Sequence, residues 1–167
     1  MDLRHRRAIS FMAALAAGLV LALASTALAK CKTSDGGFVL DLVPPPTCTS
    51  PVGVCMLATL DGDLAGMYYF VMDTLSCGAV DPDNCEYTGH DLITTVRGAT
   101  LFGQDIGVLS FIPGVDSPFV TTVEIVGGTR RYHSASGQFV ASGAVDFSIG
   151  EGFGQYTATI CKGGDKN

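Results

Sequence analysis

Apolar and polar residues alternate along most of this chain in short runs, cut by glycine, proline and aspartate. Residues 121–146, TTVEIVGGTRRYHSASGQFVASGAVD, hold the clearest example. The β-branched opening, 121–126, suits a pleated and partly buried surface. Gly127-Gly128 stops it, because two residues without Cβ let the backbone turn where others clash. Strand-like composition resumes over 138–147, with Gly143 inside it, and an interior glycine marks a bulge, a bend or a close backbone approach. The local unit is two strands joined by a glycine-edged excursion.

The same reading predicts strands over 38–43, 52–59, 64–73, 91–99, 107–112 and 155–161, with 119–128 and 138–147 completing a set of eight. Pro44-Pro45-Pro46 ends the first of these, since proline cannot donate to a ladder. In 64–73 the set Gly66, Tyr68, Phe70 and Met72 shares one face, and Ala65, Met67, Tyr69, Val71 and Asp73 the other. Both faces are largely apolar, so one lines a core and the other meets a second layer or another subunit. Residues 30–37 read as a polar lead-in, 76–90 as a loop, Gly103-Gln104-Asp105 as a connection and 150–154 as a flexible link. No window after the first apolar run sustains a 3.6-residue period. The 21 glycines, several placed inside strands (Gly66, Gly98, Gly143), favour a barrel over a sandwich, because they let a small sheet coil without overfilling its interior.

Residues 1–29 carry a basic start (Arg4, Arg6, Arg7), an apolar run over 9–23 and the small-residue step Ala27-Leu28-Ala29, the pattern of a secretory signal peptide. A membrane anchor is the alternative, disfavoured by the alanine-rich run and its cleavage site. The expected mature chain, 30–167, keeps all six cysteines: Cys31, Cys48, Cys55, Cys77, Cys85 and Cys161. Six cysteines in an exported chain allow 15 connectivities. The expected set is Cys48–Cys55 and Cys77–Cys85, which close short loops, with Cys31–Cys161 tying the two ends. Without its leader the chain holds 7 Lys+Arg against 15 Asp+Glu, a net charge of −8. That charge disfavours nucleic acid and anionic membrane surfaces as partners, the only basic cluster being Arg130-Arg131.

With these residues in view, the chain resembles the allene oxide cyclase and dirigent superfamily. The resemblance lies in Val126-Gly127-Gly128-Thr129, Tyr132, Ala135-Ser136-Gly137 and Gly143, and extends upstream through Gly62, Gly66, Tyr68, Gly89, Gly98, Gly103 and Gly107 and downstream through Gly150, Gly152, Gly154 and Tyr156. It implies an eight-stranded antiparallel β-barrel that holds a small hydrophobic molecule and directs its cyclisation or stereochemistry with no cofactor. It also makes a homotrimer plausible. One departure stands out: the family's Gly-Gly-Thr-Gly pattern has Arg130 in its last place. That turn either tolerates a Cβ or holds Arg130 in a strained backbone, and the basic pair is either solvated or set to bind an acidic group at the rim.

Among the charged residues in predicted strands, Asp73, Asp91, Arg97, Glu124 and Asp146 are singled out. Glu124 interrupts an uncharged run. If it faces the interior, burial favours its protonated form and an acid role; if outward, it is solvated or paired with Arg97 or Arg131. Arg97 is a candidate for steadying an anionic intermediate, or a structural partner of a carboxylate. Tyr68 is the third candidate for chemistry, and Tyr69, Phe70 and Tyr156 are candidates for holding a ligand, with core packing the alternative for each. Asp81, Asp83, Glu86 and Asp91 suit either a solvated acidic loop or a calcium site, but their spacing matches no EF-hand. His90 and His133 have no zinc-ligand spacing, and the chain has no G-x-S-x-G elbow, phosphate loop or H-E-x-x-H motif. Hydrolysis and phosphoryl transfer therefore have little support. The competing functions are a cyclase or stereochemical guide, a noncatalytic carrier of the same kind of molecule, and a structural or host-interaction protein.

Overall fold

A computed structural model of the protein describes residues 30–78, 83–111 and 114–162. Its strands are β1 (Lys30–Leu42), β2 (Cys55–Leu60), β3 (Gly66–Cys77), β4 (Asn84–Thr95), β5 (Thr100–Ser110), β6 (Ser117–Gly128), β7 (Ala135–Asp146) and β8 (Glu151–Lys162). Each pairs antiparallel with the next, and β8 returns to β1, so the sheet closes into the expected eight-stranded barrel. The period of two decides which side chains go inside. On β6 Phe119, Thr121, Val123 and Ile125 are buried, whereas Val120, Thr122, Glu124 and Val126 face out. No helix among the described residues is long and apolar enough to cross a membrane.

Several boundaries differ from the sequence expectation, for one common reason. The polar segment 30–37 is strand, because β1 pairs with β8 along its whole length, from Lys30↔Lys162 to Asp41↔Glu151. A partner strand satisfies backbone groups whatever the side chains are. Likewise β3 continues to Cys77 and β4 starts at Asn84, which turns most of the predicted 76–90 loop into a hairpin. Asp83 and Glu86 are exposed there, and Asp81 lies outside the described residues. Gly103-Gln104-Asp105 sits in the middle of β5 instead of between strands, and Gly98 lies in the β4–β5 turn at φ 69°. Residues 151–154 belong to β8.

The three expected disulfides all form: Cys31–Cys161, Cys48–Cys55 and Cys77–Cys85. Two of them join residues directly opposite each other, on β1/β8 and on β3/β4. Arg130 takes the left-handed conformation, φ 52°, that the resemblance reserves for glycine. Its guanidinium donates to the Arg97 carbonyl oxygen at 3.0 Å, and Arg131 lies over the Tyr132 ring, 4.8 Å from its centroid.

One end of the barrel is closed by the buried side chains of Leu64, Ala99 and Tyr132. Tyr156 holds this plug from inside. Its hydroxyl donates to the Asp61 carbonyl oxygen at 2.6 Å and accepts from the Leu64 N–H at 3.2 Å. Gly36 leaves the room for that arrangement, since a Cβ there would lie 2.7 Å from the Tyr156 hydroxyl. At the other end, Phe111 and Phe147 approach with ring centroids 5.3 Å apart.

Candidate functional site

The inner faces of β4 and β5 are complementary position by position. In register, Tyr87 faces Gly107, Gly89 faces Asp105 and Asp91 faces Gly103, with Cys85/Leu109 and Ile93/Leu101 at the two ends. Tyr87, Asp105 and Asp91 therefore each stand beside a glycine. The glycines are spatial necessities: a Cβ on Gly107 would lie 2.2 Å from Tyr87 Cζ, and one on Gly103 would lie 2.1 Å from Val123 Cγ1. This alternation leaves two carboxylates, Asp91 and Asp105, inside the barrel. They are 5% and 2% exposed, and among the described residues they are the only buried charged side chains.

Their surroundings differ. The Thr121 hydroxyl donates to Asp105 Oδ1. Neither carboxylate oxygen of Asp91 has a hydrogen-bond partner. The Tyr68 hydroxyl lies near enough to act on both carboxylates. Burial pushes the Asp105 carboxyl up to about 6, against the pull of the Thr121 and Tyr68 hydroxyls. Burial, and after it the Asp105 charge, pushes Asp91 well above the usual carboxylate range. Two such groups share protons as a unit, so one can be an acid while the other is a base. Burial and the two carboxylates also raise the Tyr68 phenol, and burial and Asp105 raise that of Tyr87. Both phenols therefore remain hydrogen-bond donors.

Of these groups Tyr68, Tyr87, Asp105 and Thr121 meet an apolar space lined also by Phe38, Met56, Phe70, Phe119 and Ala141, while Asp91 lies behind it beside Gly103. Its volume is about 20 Å³, close to what one water occupies by the same measure. Tyr68 is deep in the barrel by position yet keeps part of its surface accessible, because that surface faces this cavity. Below it the interior is filled. Tyr68 stacks on Phe139 at 5.7 Å and Phe139 on Tyr156 at 4.9 Å, a column of three rings.

Of the residues singled out from the sequence, the structure brings Tyr68 and Phe70 to this cavity. Tyr156 is inside but occupied by Asp61 and Leu64. Tyr69 follows the opposite face of β3 and points outward. Glu124 is a correction: it is exposed, because Val123 and Ile125 on either side take the inner positions of β6. Arg97 is also exposed, in the turn after β4, where its carbonyl serves Arg130. Asp91 was among the charged residues noted in predicted strands. Asp105 was hidden in a segment read as a turn, although the matching order Tyr-x-Gly-x-Asp in β4 and Gly-x-Asp-x-Gly in β5 would have revealed it.

Fold and interior together define an eight-stranded antiparallel barrel that carries a buried acid pair beside an aromatic-lined cavity. The structure is similar to that of the pterocarpan synthase dirigent protein GePTS1, with 15% identity, 83% of this chain and 88% of that one covered, and a TM-score of 0.37. This is a distant and partial match. No protein-family model and no curated protein matches the chain.

Proposed function

We propose that this exported barrel takes a small hydrophobic molecule against Asp91 and Asp105 and directs its ring closure or coupling without a cofactor. The observation that carries this reading is the acid pair itself: two carboxylates kept from water, Asp105 on the aromatic-lined cavity and Asp91 behind it with both oxygens unpartnered. An unpaired buried carboxyl costs stability, and a binding or catalytic role accounts for the cost. The protonated member donates to an oxygen on which negative charge develops, and its ionised neighbour accepts a proton elsewhere on the guest. Tyr68 adds a second donor. Fixing a flexible guest in one geometry removes part of the entropic barrier. The cavity admits a head group, so the body of the guest displaces flexible side chains, Met56 first.

The test is incubation of the purified protein with a metabolite extract from its source, read by native and denaturing mass spectrometry over time. A retained molecule that is converted supports catalysis, and in the double variant Asp91→Asn/Asp105→Asn the conversion of what is bound should fall by about 100-fold. Retention without conversion gives the carrier function. Conversion at full rate by the double variant ends the acid–base role.

A second reading rests on the outer wall. Val39, Leu57, Met67, Leu92, Phe102 and Phe153 are exposed on neighbouring strands from β8 through β5, an apolar belt suited to self-association, for which we propose a homotrimer. Size exclusion with light scattering should give three times the chain mass at micromolar concentration. A monomer there removes this proposal and leaves the interior unaffected.

A further inference from the structure

We infer that the guest of the barrel is a cation, an organic ammonium whose charged head sits between Asp105 and the aromatic wall. This rests on the proposal above that the interior holds a small molecule, and adds the sign of its charge. Every described Lys, Arg and His is exposed on the outside or at the rims, so nothing basic in the described chain reaches the interior. The interior carries two carboxylates and no counter-charge. Asp105 is the carboxylate on the cavity, where the Thr121 hydroxyl donates to it and no cation faces it, and Asp91 is buried behind it with neither oxygen partnered. A neutral hydrocarbon guest would leave the pair so. A neutral alcohol supplies one donor, whereas an ammonium supplies up to three together with the missing charge.

The walls fit the same chemistry. Phe38, Tyr68, Phe70, Tyr87 and Phe119 present rings around the cavity, and the faces of such rings attract cations. A volume of about 20 Å³ suits one heavy atom, the size of an ammonium head. A hard divalent ion suits the space less well. It requires about six oxygen ligands, whereas no cluster of three His, Cys, Asp or Glu among the described residues is placed to hold a metal ion.

Binding is then linked to protons. The groups facing the carboxylates are Tyr68 from β3, Tyr87 from β4 and Thr121 from β6, with Asp73 acting from outside; β1, β2 and β7 contribute Phe38, Leu40, Ala58 and Ala141, which do not titrate. An entering ammonium ionises a carboxyl that burial keeps protonated, and a proton leaves. Affinity for the cation therefore rises with pH until the pair is ionised in the empty barrel as well.

Benzylamine and benzyl alcohol test this, since they share a shape and differ in charge. Titration calorimetry on the disulfide-intact protein at neutral pH should give an affinity for the amine at least about tenfold above that for the alcohol. The preference should shrink to about twofold or less in Asp105→Asn. In the unaltered protein, binding of the amine but not of the alcohol should release protons and strengthen from about pH 5 to about pH 7. That measurement stands even if the variant does not fold. Equal binding of the two probes leaves the apolar-guest proposal standing and overturns the charge assignment. An amine preference that survives in a folded Asp105→Asn overturns it too. Failure of both probes to bind counts against both proposals.

Discussion

Asp105 shows how strongly one side chain can set the pH response of this protein. Its carboxyl is raised to about 6 by burial, so between roughly pH 4 and pH 6 the folded chain keeps a proton that the unfolded chain has lost. A group shifted in this direction contributes its full stability below the unfolded value, and loses it as pH rises through the folded one. Asp91 has the same sign. Asp63 and Asp146 have the opposite one, held low by Lys32 and by Ser148, but both lie on the surface, where solvent screens them. The interior pair should therefore dominate, and the protein should be more stable near pH 4 than near pH 7. Asp105→Asn keeps the shape and removes the titration. It should add about 3 kcal/mol at neutral pH, by the usual conversion of a shift of this size, and add little at about pH 4. Urea unfolding of both proteins across this range checks it; a variant no more stable than the parent at neutral pH would show that the carboxyl ionises inside the barrel without cost.

Between neighbouring strands, the controlling feature is the match of bulk against glycine. Sequence periodicity identified eight strands and the barrel, because β-branched alternation and glycine spacing are local signals. It placed Tyr68 and Phe70 on one face of β3, the face that lines the cavity. It misplaced β5, because Gly103-Gln104-Asp105 has turn composition and only the partner strand shows why glycine is needed there. Turn propensity is a local preference, and the clash that Gly103 avoids is with Val123, twenty residues away on β6. The same limit applied to Glu124: its charge marked it as unusual, but inside or outside depends on where the strand's register begins. The pairing makes a specific prediction. Gly103→Ala should destabilise the barrel by about 2 kcal/mol through overpacking. Val123→Ala alone should cost about 1 to 3 kcal/mol by leaving a cavity. Together they should cost less than the sum, since the methyl removed is the one the new Cβ meets. A double-mutant cycle with no coupling would mean that the β5 backbone moves aside instead.

Closure of the whole wall depends on a seam between the first and last strands, and that seam repeats the design of β4 and β5. Phe38 faces Gly154, Leu40 faces Gly152 and Gly36 faces Tyr156 in register, so the two glycine-matched seams lie on opposite sides of the eight-membered ring. Large rings rising from one side can cross the interior because small residues stand on the other. The seam between β1 and β8 brings together the ends of the described chain, and Cys31–Cys161 spans 130 residues to hold them. Cys48–Cys55 spans only 7 and Cys77–Cys85 only 8. On the loop-closure account, the long bridge restricts the unfolded chain far more than the short ones. Cys31→Ser/Cys161→Ser should therefore cost about 5 kcal/mol, against about 2 to 3 for Cys48→Ser/Cys55→Ser. The long-bridge variant should also show a steeper denaturant dependence, because its unfolded chain exposes more surface once the ends are released. Guanidinium titrations of the two variants separate this from a local effect. Equal losses with equal slopes would mean that the seam is held by its own strand pairing, with the disulfide adding only a short-range clasp.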